Sequence, residues 1–219
     1  MLSVLYEDNH LLAVNKPAML PTMGVAADEP SLLVEAKEFI RRKYNKPGEV
    51  YLGIVSRLDA PVTGVVLIAR TSKAAARLSE MFKQRDVEKT YWALVEGRVE
   101  PATGTLVHHL RKDERHRKMH VTTASATDAQ RAELNYRTLK FIKGNTLLEI
   151  ELLTGRKHQI RVQLADALTP IVGDRKYGSR REFPHGIALH SRRLAIMHPV
   201  RKEPLVIEAP LPPAWEGCV

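Results

Sequence analysis

Two stretches of the chain place polar side chains where no hydrophobic period asks for them. The first is Ser56-Arg57-Leu58-Asp59-Ala60-Pro61-Val62-Thr63-Gly64, directly before the apolar run Val65 to Ala69. Pro61 and Gly64 punctuate it, so Asp59 is held in a turn at the mouth of a core strand. An aspartate there can cap the turn, or it can act as a nucleophile or base. The second is Leu153-Thr154-Gly155-Arg156-Lys157-His158-Gln159-Ile160-Arg161-Val162. It reads as a strand, a glycine turn and a helix opened by Arg156, Lys157 and His158, where phosphate binding is favoured. Arg161 sits one turn in, beside Ile160 and Val162, and an arginine in that setting needs an anion.

A third stretch is chemically simpler. Arg111, Lys112, Arg115, Arg117 and Lys118 fall within eight residues, with Asp113 and Glu114 between them. Placed between two strands, the stretch reads as an exposed hairpin loop, either solvated or a basic finger for a phosphate backbone. His116 and His120 have metal-compatible spacing, but no cysteine or carboxylate motif completes a set among these cations, so no metal is expected. The chain has no glycine-rich phosphate loop and no Gly-x-Ser-x-Gly elbow, and no cofactor is expected.

The elements that must position these residues follow from periodicity. Val4-Leu5-Tyr6 and Leu11 to Val14 read as two strands about an Asp8-Asn9 turn. Ser31 to Tyr44 reads as a helix capped by Ser31, with Leu32, Leu33, Ala36, Phe39 and Ile40 on one face. Gly64 to Ala69 is a buried strand, and Ser72 is expected to cap a second helix. Thr90 to Val95 alternates as a strand that Gly97 stops. Further strands are expected at Thr103–Val107, Met119–Thr123, Ala132–Phe141, Thr146–Leu153, Ile187–Ile196 and Leu205–Glu208, with a helix over His158–Leu168. The fold class is therefore α+β, a mixed and largely antiparallel sheet with flanking helices. Proline and glycine are spread evenly, so one domain over 1–219 is expected.

The 219 residues carry 34 Lys/Arg against 25 Asp/Glu, a net charge of +9. The surplus is lopsided: +1 over residues 1–110 and +8 over 111–219. A polyanionic partner is indicated, with nucleic acid ahead of an anionic membrane surface. The single cysteine, Cys218, excludes a disulfide framework within the chain and suits a reducing cytosol. The longest apolar run is far short of a membrane span, and no signal-peptide core fits the N-terminus.

Taken together, five motifs resemble the RluA-type pseudouridine synthases. That family's central pattern His-Arg-Leu-Asp-x-x-Thr-Ser-Gly is met by Ser56 to Gly64, and its Gly-Arg-x-His-Gln-Ile-Arg pattern is met in full by Gly155 to Arg161. Asn15-Lys16-Pro17, Lys89-Thr90-Tyr91-Trp92-Ala93-Leu94-Val95-Glu96-Gly97 and Gly173-Asp174-Arg175-Lys176-Tyr177-Gly178 match three further elements in order. The resemblance spans about residues 4 to 208. Departures are Ser56 for the usual His, Val62-Thr63 for Thr-Ser, and Met19 where Gly is frequent.

The resemblance implies the pseudouridine synthase fold and a catalytic domain without the N-terminal S4-type domain of many relatives. It implies isomerisation of uridine to pseudouridine in structured rRNA or tRNA; separately from the resemblance, a monomer in the cytoplasm is expected. It assigns Asp59 as the essential carboxylate. It assigns Arg161 as the cation that keeps Asp59 ionised, since a carboxylate in a dry pocket would otherwise hold its proton. Tyr91 would stack on the target base and take part in proton transfer at C5. RNA contacts fall to Arg57, Arg156, Lys157, His158 and the 111–118 finger, with the base drawn out of its stack. Two alternatives are a non-catalytic RNA-binding scaffold and a glycoside-cleaving hydrolase. The latter would need a second carboxylate beside the first.

Overall fold

The computed structural model describes residues 2–26 and 29–218. The chain divides into two compact units, Met1–Glu88 with Ser191–Leu211 and Lys89–His190 with Pro212–Val219.

In the first unit, strands β1 (Val4–Glu7) and β2 (Leu11–Lys16) form an antiparallel hairpin. Its turn is set by Asp8, whose carboxylate accepts hydrogen bonds from the His10 and Leu11 amides at 2.8 and 2.7 Å. Helix α1 (Leu32–Lys43) follows, capped by Ser31 as expected. The short β3 (Gly53–Ile54) pairs with β4 (Thr63–Ala69), and β4 also pairs antiparallel with β2. All seven residues of β4 are buried, which is why it reads as a continuous apolar run rather than an alternation. Helix α2 (Ser72–Gln84) is capped by Thr71, whose hydroxyl accepts from the Ala74 amide, and not by Ser72. Both residue types cap well, and Thr71 wins because its backbone is extended while Ser72 is already helical. Later in the chain β10 (Leu189–Met197) pairs antiparallel with β11 (Pro204–Glu208). Leu11, Leu67, Leu78, Leu194 and Ile207 centre the core.

The second unit is built on β5 (Val87–Glu96), β6 (Thr103–Asp113), β7 (Lys118–Thr122), β8 (Gln130–Ile142) and β9 (Asn145–Leu152), in the order β5-β9-β8-β6-β7. Each neighbouring pair is antiparallel. Helix α3 (Gln159–Ala167) lays Val162 on Leu110, Met119 and Ala132 of this sheet. The α+β expectation holds. The expected hairpin loop at 111–118 is a correction: β6 runs through Asp113 and β7 begins at Lys118, with Arg111 opposite His120. Only 114–117 form the turn. Arg111, Lys112 and Asp113 follow buried Leu110 in succession, and none of the three is buried, so the strand carries their charge without desolvating it.

Candidate active site

Asp59 is half-buried in the turn between β3 and β4, and the turn is locked from three sides within its own unit. The Val62 amide donates to the Asp59 carbonyl at 3.0 Å. The buried Thr22 hydroxyl donates to the Leu58 carbonyl at 2.8 Å and accepts from the Leu58 amide at 3.1 Å. Ser56 accepts from the Leu67 amide at 3.0 Å, so this residue ties the loop to β4. Gly64 has φ +112°, and a Cβ there would lie 2.3 Å from the Ser191 carbonyl oxygen. Only glycine lets the strand start so close to a neighbouring backbone.

Lys16 is the least expected member of this group. It closes β2 and is fully buried. Its ammonium donates to three carbonyls, Pro17 at 2.7 Å, Leu20 at 2.8 Å and Ala60 at 3.0 Å. Three donors meet three acceptors, and Ala60 follows Asp59 directly. Burial pulls Lys16 down to about 7, against the opposing pull of the Asp59 charge. Lys16→Met strands three buried carbonyls, each worth about 1–3 kcal/mol if unsatisfied. A loss of about 3 kcal/mol in denaturant unfolding is expected. The folded form binds this proton more weakly than the unfolded chain does. Native Lys16 is therefore neutral between about pH 7 and its ordinary value near 10.5, while the unfolded lysine keeps its proton. Wild-type stability should rise relative to Lys16→Met across that window. A stability gap that is flat or narrowing with pH would contradict it.

Arg57 is exposed beside Asp59. The other residues singled out in the sequence lie in the second unit. Arg161 and Asp174 are both buried, at 5% and 1% exposure. They form a bidentate pair, Nε to Oδ2 at 2.7 Å and Nη2 to Oδ1 at 2.9 Å. The Arg161 guanidinium also lies 5.0 Å from the centre of the Tyr177 ring. The Tyr177 hydroxyl bonds His158 Nδ1 at 2.8 Å and accepts from the Met119 amide at 3.0 Å. Arg161 and His158 are thus brought together around Tyr177. Asp174 and Tyr177 have structural parts here that sequence reasoning did not give them. The available signal was the Gly173–Gly178 motif, together with the demand of a buried arginine for an anion.

The turn ahead of α3 is closed by buried Gln159. Its Oε1 accepts from the Thr154 hydroxyl at 2.8 Å and from the Arg156 amide at 2.9 Å, and its Nε2 donates to the Glu133 carbonyl at 3.0 Å. His158 caps the helix in a left-handed conformation, and Arg156 and Lys157 precede it, exposed. Tyr91 is half-buried on β5 opposite Ile150. In the β6–β7 hairpin, Lys112 pairs with Glu114 and His116 with Asp113. The His116 amide and then its ring hold Asp113 below the usual carboxylate range. Arg111, Arg115 and Arg117 are exposed, with no acid paired to them among the described residues.

A family model described as RNA pseudouridylate synthase matches residues 10–166. The chain is 36% identical over 225 residues to the ribosomal large subunit pseudouridine synthase D of Xanthomonas campestris pv. campestris. That match covers 96% of this chain and 66% of the relative, so the chain spans just under two thirds of that protein's length. It is 34% identical to the tRNA pseudouridine synthase C of Vibrio cholerae, covering 100% of this chain and 95% of the relative. Among solved structures, human RNA pseudouridylate synthase domain containing 4 superposes with a TM-score of 0.81 at 26% identity, covering 98% of this chain and 92% of that one.

Proposed function

Because the chain belongs to the RNA pseudouridylate synthase family, we propose that it isomerises specific uridines in structured rRNA or tRNA to pseudouridine, with Asp59 as the essential carboxylate. In this reaction the N1–C1′ bond breaks, the base turns, and C5 bonds to C1′. The C5 proton leaves and N1 gains one, so atoms balance without a redox partner. The observation that carries the reading is the placement of Asp59. Its half-buried carboxylate sits on a turn whose backbone is fixed by Thr22, Lys16 and Gly64, as covalent or acid–base chemistry requires.

The family resemblance assigns Arg161 to keeping that carboxylate ionised and Tyr91 to the target base, and we propose both roles. The bidentate hold of Asp174 on Arg161 supports a preorganised guanidinium. Arg57, Arg156, Lys157, His158 and the hairpin residues Arg111, Lys112, Arg115, Arg117 and Lys118 are proposed to engage RNA. A monomer working in the cytoplasm completes the proposal; among the described residues no helix is long and apolar enough to cross a membrane.

The decisive experiment uses RNA tritiated at uridine C5. Incubation with the purified protein should release tritium to water, one per uridine converted, and chemical mapping should place pseudouridine at the same sites. RNA binding without tritium release from any rRNA or tRNA would instead identify a non-catalytic scaffold.

A further inference from the structure

We propose that the loop 173–186 forms a second nucleotide-binding subsite, which takes a nucleotide of the RNA substrate outside the target uridine. This rests on the reading above that the substrate is RNA.

The loop lines an open depression of about 460 Å³ bordered by Arg175, Arg181, Glu182, Phe183 and Pro184. That volume lies in the range of small-ligand sites and accommodates one nucleotide. The wall chemistry matches the parts of a nucleotide. Two guanidinium groups suit a phosphate, and a phenyl ring beside a proline offers an apolar surface for a base. The Glu182 carboxylate provides an acceptor for a ribose hydroxyl, the group that marks RNA. Glu182 now pairs with Arg175 at 2.7 Å, but both side chains are largely exposed, 83% and 75%. An exposed pair of this kind yields readily to a phosphate.

The loop is also built to hold its shape. Gly173, at φ +88°, lies so close to Phe183 that a Cβ would come within 2.7 Å of the Phe183 Cβ, so the loop's two ends meet. Phe183 packs edge-on against the fully buried Trp215 at 5.7 Å. Glu96 clasps the middle, accepting from the Ser179 hydroxyl at 2.6 Å and from the Arg180 and Arg181 amides at 3.0 and 3.2 Å. Arg181 is in turn aimed by its bond to Asn145. A loop ordered before binding loses little further freedom when RNA arrives.

The test is the double variant Arg175→Ala/Arg181→Ala, with Phe183→Ala as a separate probe. Fluorescence anisotropy with a substrate RNA should show Kd raised about tenfold by the double variant, and the slope of log K against log salt should fall by roughly 1–2. The KM for RNA should rise with kcat unchanged, and melting temperature should hold within a few degrees. Phe183→Ala should weaken RNA binding without altering the salt slope. Unchanged Kd and salt slope in the double variant would overturn the subsite. So would a site for free nucleotide only: uridine 5′-monophosphate bound by wild type and lost in the variant, with RNA affinity intact. If the wild type releases no tritium, the proposed activity falls, while the anisotropy measurement still decides the subsite.

Discussion

Asp59→Asn is expected to bring pseudouridine formation below detection, a loss of at least about 10³-fold, while leaving fold and RNA affinity close to wild type. The substitution keeps the shape of the side chain and removes its ability to ionise. Several of the contacts that hold this turn run through backbone: the Val62 amide on the Asp59 carbonyl, Thr22 on both polar groups of Leu58, and Lys16 on the Ala60 carbonyl. None of them uses the carboxylate. One electrostatic consequence follows within the same unit. The Asp59 charge raises the affinity of Lys16 for its proton, so the neutral variant should lower Lys16 further below about 7. Tritium release, RNA anisotropy and thermal melting on the same preparation test the set. Turnover within tenfold of wild type would remove Asp59 from the chemistry. Lost turnover together with a collapsed melting temperature would show only that the turn had been broken.

How much of this was legible from the residues depends on whether the signal was local. The β1–β2 turn, the Ser31 cap and the buried β4 were readable because each rests on side chains within four residues of one another. The place of Asp59 is readable because Pro61 and Gly64 follow it closely and separate it from the apolar run of β4. Thr71 and Ser72 compete for one cap, and periodicity cannot tell adjacent capping residues apart. The length of β6 is hidden in the sequence because three consecutive charged residues, Arg111, Lys112 and Asp113, break the alternation just where Arg111 pairs with His120. The division into two units was invisible for a different reason. Its first boundary, Glu88 to Lys89, falls inside β5, so no proline- or glycine-rich linker marks it. The Asn15-Lys16-Pro17 motif flags Lys16 in the sequence, but its burial is not legible there, since its third acceptor, besides Pro17 and Leu20, is the distant Ala60. For Arg161 the demand for an anion was plain, but the supplier inside its own unit, Asp174, is set by how the Gly173–Gly178 turn meets α3.

That pair yields the largest expected effect on stability. Asp174→Ala removes two charge-assisted acceptors from a guanidinium that is 5% exposed, while Arg161 keeps its charge at any accessible pH. Breaking one side of a buried pair costs about 3–5 kcal/mol. For a chain of this length each kcal/mol lowers the melting temperature by about 2–4 °C, so a drop of roughly 10 °C is expected. Asp174→Asn should cost somewhat less, because its amide oxygen still accepts one bond. Arg161→Met combined with Asp174→Leu should recover much of the loss, since it removes the charge along with its partner. The double variant then separates two roles. If Arg161 only braces the Gly173–Gly178 turn, activity should return with stability. If it serves the reacting carboxylate, the refolded double variant should melt near wild type and still form no pseudouridine. Asp174→Ala that melts within 2 °C of wild type would mean that the bidentate pair does not hold this unit together.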